Sequence, residues 1–288
     1  MFFGGEPALK FDSVVFADSA SMAALSCFSR LKSGRDAGQK ALLVPLVDAA
    51  GAEAIAGRGL GTVRQFEDVE AESEGFNPAQ PWRERLSMVI RRLGPRHVVA
   101  PLGLLGSPQE IDYFTALRAA LSVDPGRDLL FFEERPHCLV PESVPLRLST
   151  LGARLPPATT LRRSRHYAPF VLRLVTGLGV PPVFGGLRER WRLSRSLNTA
   201  FKEAADWDSQ RALGPKLQPV AEPWREGDSS ELFALAAEMG QASGLGSRKA
   251  FNQRLARHAK GAGSREPIER YWLSLPNAGG SEVLGESY

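Results

Sequence analysis

The first half of the chain alternates short apolar, β-branched runs with segments whose apolar residues recur at helical spacing. Apolar runs bounded by turn residues indicate buried strands, and apolar residues three and four apart indicate helices. The predicted strands are Ser13–Ala17, Ala41–Val47, His97–Leu102 and Asp128–Glu133. The predicted helices are Met22–Lys32, a segment near Val63–Glu72, Trp82–Leu93 and Gln109–Leu121. Because such alternation builds parallel βαβ units with right-handed crossovers, we expect a Rossmann-like, mostly parallel sheet flanked by helices.

The second half of the chain has a less regular pattern. Pro156-Pro157 and the basic run Leu161–His166 separate it from the sheet core. Helical spacing recurs at Phe170–Leu178, Leu187–Gln210, Ser230–Met239 and Ala250–Lys260, and a strand is predicted at Tyr271–Leu275. The expectation is therefore one α/β domain over 1–288, with a Rossmann-like core in 1–150 and a mainly helical C-terminal part in 151–288.

Composition excludes several classes of protein. The chain has 288 residues, 43% apolar and 24% charged, and a net charge of only +4, which gives no nucleic-acid footprint. Two cysteines are too few for a disulfide scaffold or a tetrahedral zinc site, and they fit a reducing compartment. The longest apolar stretch, Phe170–Phe184, is interrupted by Arg173 and two prolines, so no membrane span is predicted. Since no signal peptide is recognisable either, we expect a cytoplasmic protein.

Polar side chains follow three of the predicted strands. Asp18 follows the first strand, Ser107 and Glu110 follow the third, and Glu134 and His137 follow the fourth. Because parallel strands end at the same edge of a sheet, these side chains are expected to lie around one mouth, where α/β proteins bind ligands. For Asp18 two roles stay open: it either caps the first helix or acts as a functional group.

The carboxylates Asp18, Glu110, Glu133 and Glu134 together suggest an acidic cluster at this mouth. Such a cluster would suit a hard cation such as Mg²⁺, although helix capping explains two of its members equally well.

Five stretches of the chain occur in the order of a known set of signatures. They are Val14–Phe16 with Ala17–Ala20, His97–Gly106 with Ser107–Glu110, Leu130–His137, Lys202 with Trp207–Gln210, and Ile268–Trp272. Each resembles a signature of the LmbE-like, or PIG-L, de-N-acetylase family: His-Pro-Asp-Asp, His-X-Asp-His, Phe-Tyr-Glu-Asp, Lys with Tyr-X-Ser-Gln, and Glu-Arg-X-Trp. The resemblance therefore covers most of the chain.

That resemblance implies the fold of a zinc amidase, in which two histidines and an aspartate hold the metal. In this chain the three ligand positions fall at Phe16, Ser19 and Glu110, and Ser107 replaces the assisting histidine. Asp18, at the general-base position, keeps its identity. Phenylalanine has no lone pair to offer a cation, so the resemblance implies a member without zinc, and no cofactor is expected.

Two function hypotheses follow from the resemblance. The first is a non-catalytic binding or scaffold subunit in a carbohydrate or secondary-metabolite pathway, with a sugar-like ligand as a possible occupant of a pocket formed by Phe16, Ser19, Glu134 and His137. Its partner would be another enzyme of the pathway or a second copy of the chain. The alternative is an amide hydrolase for an N-acylated sugar, with a rebuilt site around Asp18, Ser107, Glu110, Glu134 and His137. Whether the protein is an enzyme therefore stays open.

Overall fold

The structure is a computed structural model that describes residues 11–73, 77, 79–104, 117, 127–150, 163–195 and 216–275. Several residues of interest fall outside this part of the chain: Ser107, Glu110, the stretch Lys202–Gln210 and, apart from Leu117, the predicted helix Gln109–Leu121.

Seven strands form one sheet. They are β1 (Ser13–Ser19), β2 (Ala41–Asp48), β3 (Thr62–Val63), β4 (His97–Pro101), β5 (Asp128–Phe132), β6 (Lys216–Pro223) and β7 (Ile268–Leu275). Their order across the sheet is β3-β2-β1-β4-β5-β7-β6. The pairs β1–β2, β1–β4, β2–β3 and β4–β5 are parallel, whereas β7 runs antiparallel to β5 and to β6. The mostly parallel, Rossmann-like sheet predicted from the sequence is confirmed.

The central strands are continuous apolar runs because helices cover both faces of a parallel sheet. Val14, Val15 and Phe16 in β1 are all inaccessible or nearly so. In β2, Pro45 lies past the last pair that β2 makes with β3, at Leu43 and Val63. Proline has no N–H group to donate, but at position 45 the neighbouring strand β3 has already ended. β2 can therefore accommodate a proline inside the sheet.

The helices flank this sheet. They are α1 (Ala20–Ser26), α2 (Phe28–Asp36), α3 (Ala52–Gly57), α4 (Phe66–Ala71), α5 (Trp82–Leu93), α6 (Ser143–Thr150), α7 (Arg163–Thr176), α8 (187–195), α9 (Asp228–Glu238), α10 (Ala242–Leu245) and α11 (Arg248–Gly261). The single helix predicted at Met22–Lys32 is instead two, α1 and α2, with a break at Cys27. None of the described helices is both long and apolar enough to cross a membrane.

The C-terminal half contributes two strands to the sheet. The pattern predicted β7 from Tyr271 onward, and the strand begins three residues earlier, at Ile268. It did not predict β6, whose prolines Pro219 and Pro223 are typical of loops. β6 lies at the edge of the sheet, where proline costs no ladder hydrogen bond on the outer side. The division into 1–150 and 151–288 stays a prediction.

Two hydrophobic clusters hold the described residues together. The main one fills the space between the sheet and its helices. The smaller one joins α6, α7 and the turn after α7 through the side chains of Val140, Leu146, Phe170, Leu174, Val180 and Phe184. This second cluster lies next to the residues that follow β5, because the Phe184 ring is 5.6 Å from the His137 ring.

Candidate functional site

The candidate site lies at the edge where β1, β4 and β5 end. Asp18 and Ser19 close β1, the loop Leu102–Leu104 follows β4, and Glu134 follows β5. Asp18 is partly exposed at this edge. The strand order places β1 and β4 side by side, so their ends meet as the sequence predicts.

Ser19 caps the first helix. Its hydroxyl accepts a hydrogen bond from the amide of Met22 at 3.1 Å and shares another with the Ser21 hydroxyl at 3.1 Å. Ser19 has the extended backbone of an N-cap residue, with φ −133° and ψ 154°. The N-cap of α1 is therefore Ser19, and Asp18, for which the sequence left a capping role open, lies one residue before it.

Phe16 lies two residues before Asp18, on the same strand. Its side chain is completely buried and belongs to the main hydrophobic core. A phenyl ring at this depth contributes packing energy and offers no donor atom to a ligand. Asp18 and Ser19 thus remain the polar side chains that β1 presents at the mouth.

Glu134 and Arg147 fix the loop that follows β4. Glu134 is fully buried, and its Oε1 accepts the amides of Gly103 at 2.5 Å and Leu104 at 3.0 Å. Arg147 of α6 is equally buried and donates from Nε to the carbonyl of Leu102 at 3.0 Å. Gly103 adopts φ +74°, a left-handed conformation that suits glycine. The loop is therefore held by two buried charged side chains, of which the sequence analysis recognised only Glu134.

Glu133 and Glu134 face different partners although they are adjacent in sequence. Glu133 accepts hydrogen bonds from His258 Nε2 at 2.6 Å, Arg270 Nε at 2.5 Å and Trp272 Nε1 at 2.8 Å. Neighbouring residues at the end of a strand point to opposite sides, which separates the two carboxylates. The sequence had suggested that both carboxylates belong to one acidic cluster at the mouth, and the structure shows that they do not.

The Glu133 carboxylate is strongly stabilised in its charged form. Burial alone raises its pKa, but the charge of Arg270 and the hydrogen bond from His258 outweigh burial and lower the pKa to about 2. The ligand atoms of Glu133, Cys138 and His258 lie within 4.8 Å of one another, a donor set that could hold a metal ion. Because the carboxylate already accepts three N–H groups, one of them from a guanidinium, we interpret these residues as an ion-pair network that ties α11 and β7 to the end of β5.

A second buried ion pair lies beside this network. Arg135 Nη1 is 3.1 Å from Glu269 Oε1, and both side chains are almost completely buried. Glu269 also accepts the amide of Ser29 at 2.8 Å and the hydroxyl of Tyr271 at 2.9 Å. The amide of Ser29 belongs to the first turn of α2, so Glu269 on β7 caps this helix. The N-cap residue itself, Cys27, makes no capping hydrogen bond with its side chain. The contact with Glu269 accounts for the break between α1 and α2.

His137 lies in the short 3₁₀ helix His137–Leu139 that follows β5. Burial lowers the pKa of His137 to about 4, so the ring is neutral near neutral pH. Its Nδ1 has no hydrogen-bond partner among the residues that the structure describes. The position after β5 agrees with the prediction, but the structure brings the ring against Phe184 and the second hydrophobic cluster.

Comparison with known proteins gives the fold a counterpart. No family model matches the sequence, and a search of curated proteins found no match. Solved structures do match. The zinc-inhibited form of the teicoplanin deacetylase Orf2 has a TM-score of 0.53 and 10% sequence identity, covering 93% of this chain and 99% of its own. The A40926 pseudoaglycone deacetylase Dbv21 has a TM-score of 0.52 and 14% identity, with the same coverage.

The chain has a deacetylase-type α/β fold. The coverage is almost complete on both sides, so the likeness extends over the parallel core and the C-terminal strands together. At such low sequence identity it shows the fold alone, and the function depends on the residues at the mouth.

Proposed function

We propose that this protein is a degenerate member of the LmbE-like, or PIG-L, group that works without zinc. In this proposal it binds a sugar-like, N-acylated ligand at the mouth and acts as a non-catalytic binding or scaffold subunit. The pathway would be one of carbohydrate or secondary metabolism, as the similar fold of the teicoplanin and A40926 pseudoaglycone deacetylases suggests. The partner would be another enzyme of that pathway or a second copy of the chain.

The observation that carries the proposal is the environment of two family ligand positions. Phe16 has no lone pair and is buried in the core, and the Ser19 hydroxyl is occupied as a helix cap. A zinc site needs at least three nitrogen, sulfur or carboxylate ligands. The residues at these two positions do not fit a zinc ion.

The magnitude of metal activation explains why this matters for catalysis. A bound metal lowers the pKa of water from about 15.7 to about 7, which makes hydroxide available at neutral pH. Without that shift, Asp18 would have to deprotonate an ordinary water. General-base assistance contributes only about 10²- to 10⁴-fold, too little to hydrolyse an unactivated amide at a useful rate.

The mouth nevertheless keeps an ordered framework. Two fully buried charged residues, Glu134 and Arg147, hold both sides of the loop Leu102–Leu104. A buried charged group that loses its hydrogen-bond partner costs much free energy, so a movement of the loop away from Glu134 or Arg147 would be unfavourable. This arrangement supports a rigid loop of one defined shape. A rigid loop next to Asp18 is what a binding site needs. The hydrolase alternative gains no support from Glu134, whose Oε1 serves the backbone.

The test is to measure ligand binding and acetate release on the same purified chain. Saturation-transfer NMR with N-acetylglucosamine should detect binding, and this signal should fall in Asp18→Asn but persist in the exposed control Asp68→Asn. An enzymatic acetate assay on N-acetylglucosamine conjugates should give no signal above buffer. Acetate release that requires Asp18 would overturn the non-catalytic role, and absence of binding would overturn the ligand-binding role.

A further inference from the structure

A second concave region lies at the opposite edge of the sheet from the mouth. It is a cavity of about 580 Å³ whose floor includes Ser13, Ala41 and His97, the first residues of β1, β2 and β4. Residues of α2 and the segment Glu222–Arg225, which includes the last two residues of β6, form its walls. Ser13 and Asp18 are five residues apart on β1, which corresponds to about 16 Å along a strand. The cavity and the mouth are therefore separate sites.

Cationic side chains dominate the lining of this cavity. Arg30, Lys40 and Arg225 line it, and Glu222 is the one carboxylate among the described lining residues. Glu222 Oε1 is 2.8 Å from Arg30 Nη1. Arg225 contacts Asp36, outside the lining, at 3.0 Å. Three cationic side chains thus line the cavity with one lining carboxylate, and that carboxylate pairs with Arg30, whereas the partner of Arg225 lies outside the lining.

Two of these cations retain donors without acceptors. The Lys40 amine has no ion-pair or hydrogen-bond partner in the described part of the chain. Arg30 Nε is buried and lacks an acceptor among the described residues. An anion that drew the guanidinium of Arg30 toward the cavity would supply that acceptor. Such charge-assisted hydrogen bonds are about twice as strong as neutral ones.

His97 reports the local charge. Burial lowers its pKa, and the charge of Arg30 lowers it further, although the Asp128 carboxylate lies 3.0 Å from its Nδ1. Part of this lowering comes from Arg30, so the positive charge of Arg30 acts at the floor of the cavity.

The remaining lining suits the body of an organic molecule. The hydroxyls of Ser29 and Ser33 offer hydrogen bonds, and Val15, Leu31 and Trp224 provide apolar contact. A few polar groups on an apolar wall are typical of small-molecule sites, and the volume lies in their usual range of about 300–1,000 Å³. We infer that this cavity binds a small organic polyanion, either a phosphate ester or a di- or tricarboxylate. Because it is distant from the mouth, it can be filled while the mouth holds its own ligand.

Isothermal titration calorimetry on the full chain at low ionic strength tests this inference. The probes are glucose 6-phosphate, inorganic pyrophosphate and citrate, and the strongest of them identifies phosphate or carboxylate as the preferred group. Saturable binding that weakens with added salt is expected. Lys40→Ala and Arg225→Ala should each weaken it about tenfold, because each variant removes one charge-assisted hydrogen bond to the anion. The exposed control Lys260→Ala should leave it unchanged.

A second variant separates the cavity from general attraction to a basic surface. Ser33→Phe keeps every charge but fills part of the cavity, so it should abolish binding while a thermal melt confirms that the protein folds. Undiminished binding in Ser33→Phe would overturn the inference, as would equal affinity of the wild type and the Lys40 and Arg225 variants. Failure of all three probes to bind the wild type would overturn it too.

Discussion

Replacing Glu133 by glutamine should remove a large, pH-dependent part of the stability of this protein. Folding lowers the pKa of Glu133 from its ordinary value of 4.5 to about 2. Each unit of difference corresponds to about 1.36 kcal/mol, so the shift corresponds to about 3 kcal/mol in favour of the folded state. Glu133→Gln keeps the size of the side chain but leaves Arg270 and His258 without their carboxylate.

The sign of the pH dependence follows from the direction of the shift. A carboxyl group whose pKa is lowered by folding stabilises the protein above its unfolded pKa and loses that contribution as the pH falls through the folded pKa. The full difference between wild type and variant is therefore expected above about pH 5. It should shrink progressively as the pH falls from about 4.5 toward 2, where wild-type Glu133 also becomes neutral.

Urea unfolding followed by tryptophan fluorescence measures this difference directly, at a series of pH values from neutral to acidic. Glu238→Gln is the matched control, because Glu238 also pairs with an arginine, Arg58, but is about half exposed at 49%. Surface pairs contribute little, so the control should lose much less stability than Glu133→Gln. The interpretation fails if both variants lose equal stability at neutral pH, or if the loss in Glu133→Gln does not change on acidification.

Three further substitutions give independent tests. Ser19→Ala removes the N-cap of α1 and should lower the free energy of unfolding by about 1 kcal/mol in urea titrations, whereas an unchanged value would refute the capping role. Glu269→Gln leaves Arg135 buried without its charge partner and should lower the free energy of unfolding by about 3–5 kcal/mol. Adding Arg135→Met should recover part of that loss, and additive losses of the two single variants would contradict direct pairing. His137→Gln removes a ring whose pKa is lowered to about 4. Between about pH 6.5 and 4, His137 binds a proton in the unfolded chain but not in the folded one, so acidification destabilises the wild type. The melting temperature of the wild type should therefore fall more on acidification than that of the variant, and parallel losses would refute this.

The sheet core could be predicted from the sequence because its signal is local. Runs such as Val14–Ala17 and Leu129–Phe132 are apolar throughout, and a strand buried on both faces requires that pattern. Helix ends were less certain. The break at Cys27 depends on Glu269, a residue 240 positions away from Ser29, so no local pattern could indicate it.

The site was predictable in outline and not in its partners. Strand ends located Asp18, Glu134 and His137, since topology alone brings those ends together. Two partners could not be found from spacing. His258 lies 125 residues from Glu133, and Arg147 reaches the loop after β4 from a helix that the sequence pattern did not predict. A buried arginine in an amphipathic segment carries no signal that distinguishes it from a surface arginine.

Zinc content after metal loading tests the central claim most directly. The full chain is incubated with Zn²⁺, passed through a desalting column and analysed by inductively coupled plasma mass spectrometry. The variant Cys138→Ser removes a ligand atom from the Glu133, Cys138 and His258 group, so it reports zinc bound there. The variant Ser19→Ala removes a hydroxyl from the mouth, so it reports zinc bound at the mouth. We expect the mouth to retain no zinc, so that any retained metal disappears in Cys138→Ser. About one equivalent retained by the wild type and by Cys138→Ser, but lost in Ser19→Ala, would contradict the account, because tight retention requires a formed set of ligands.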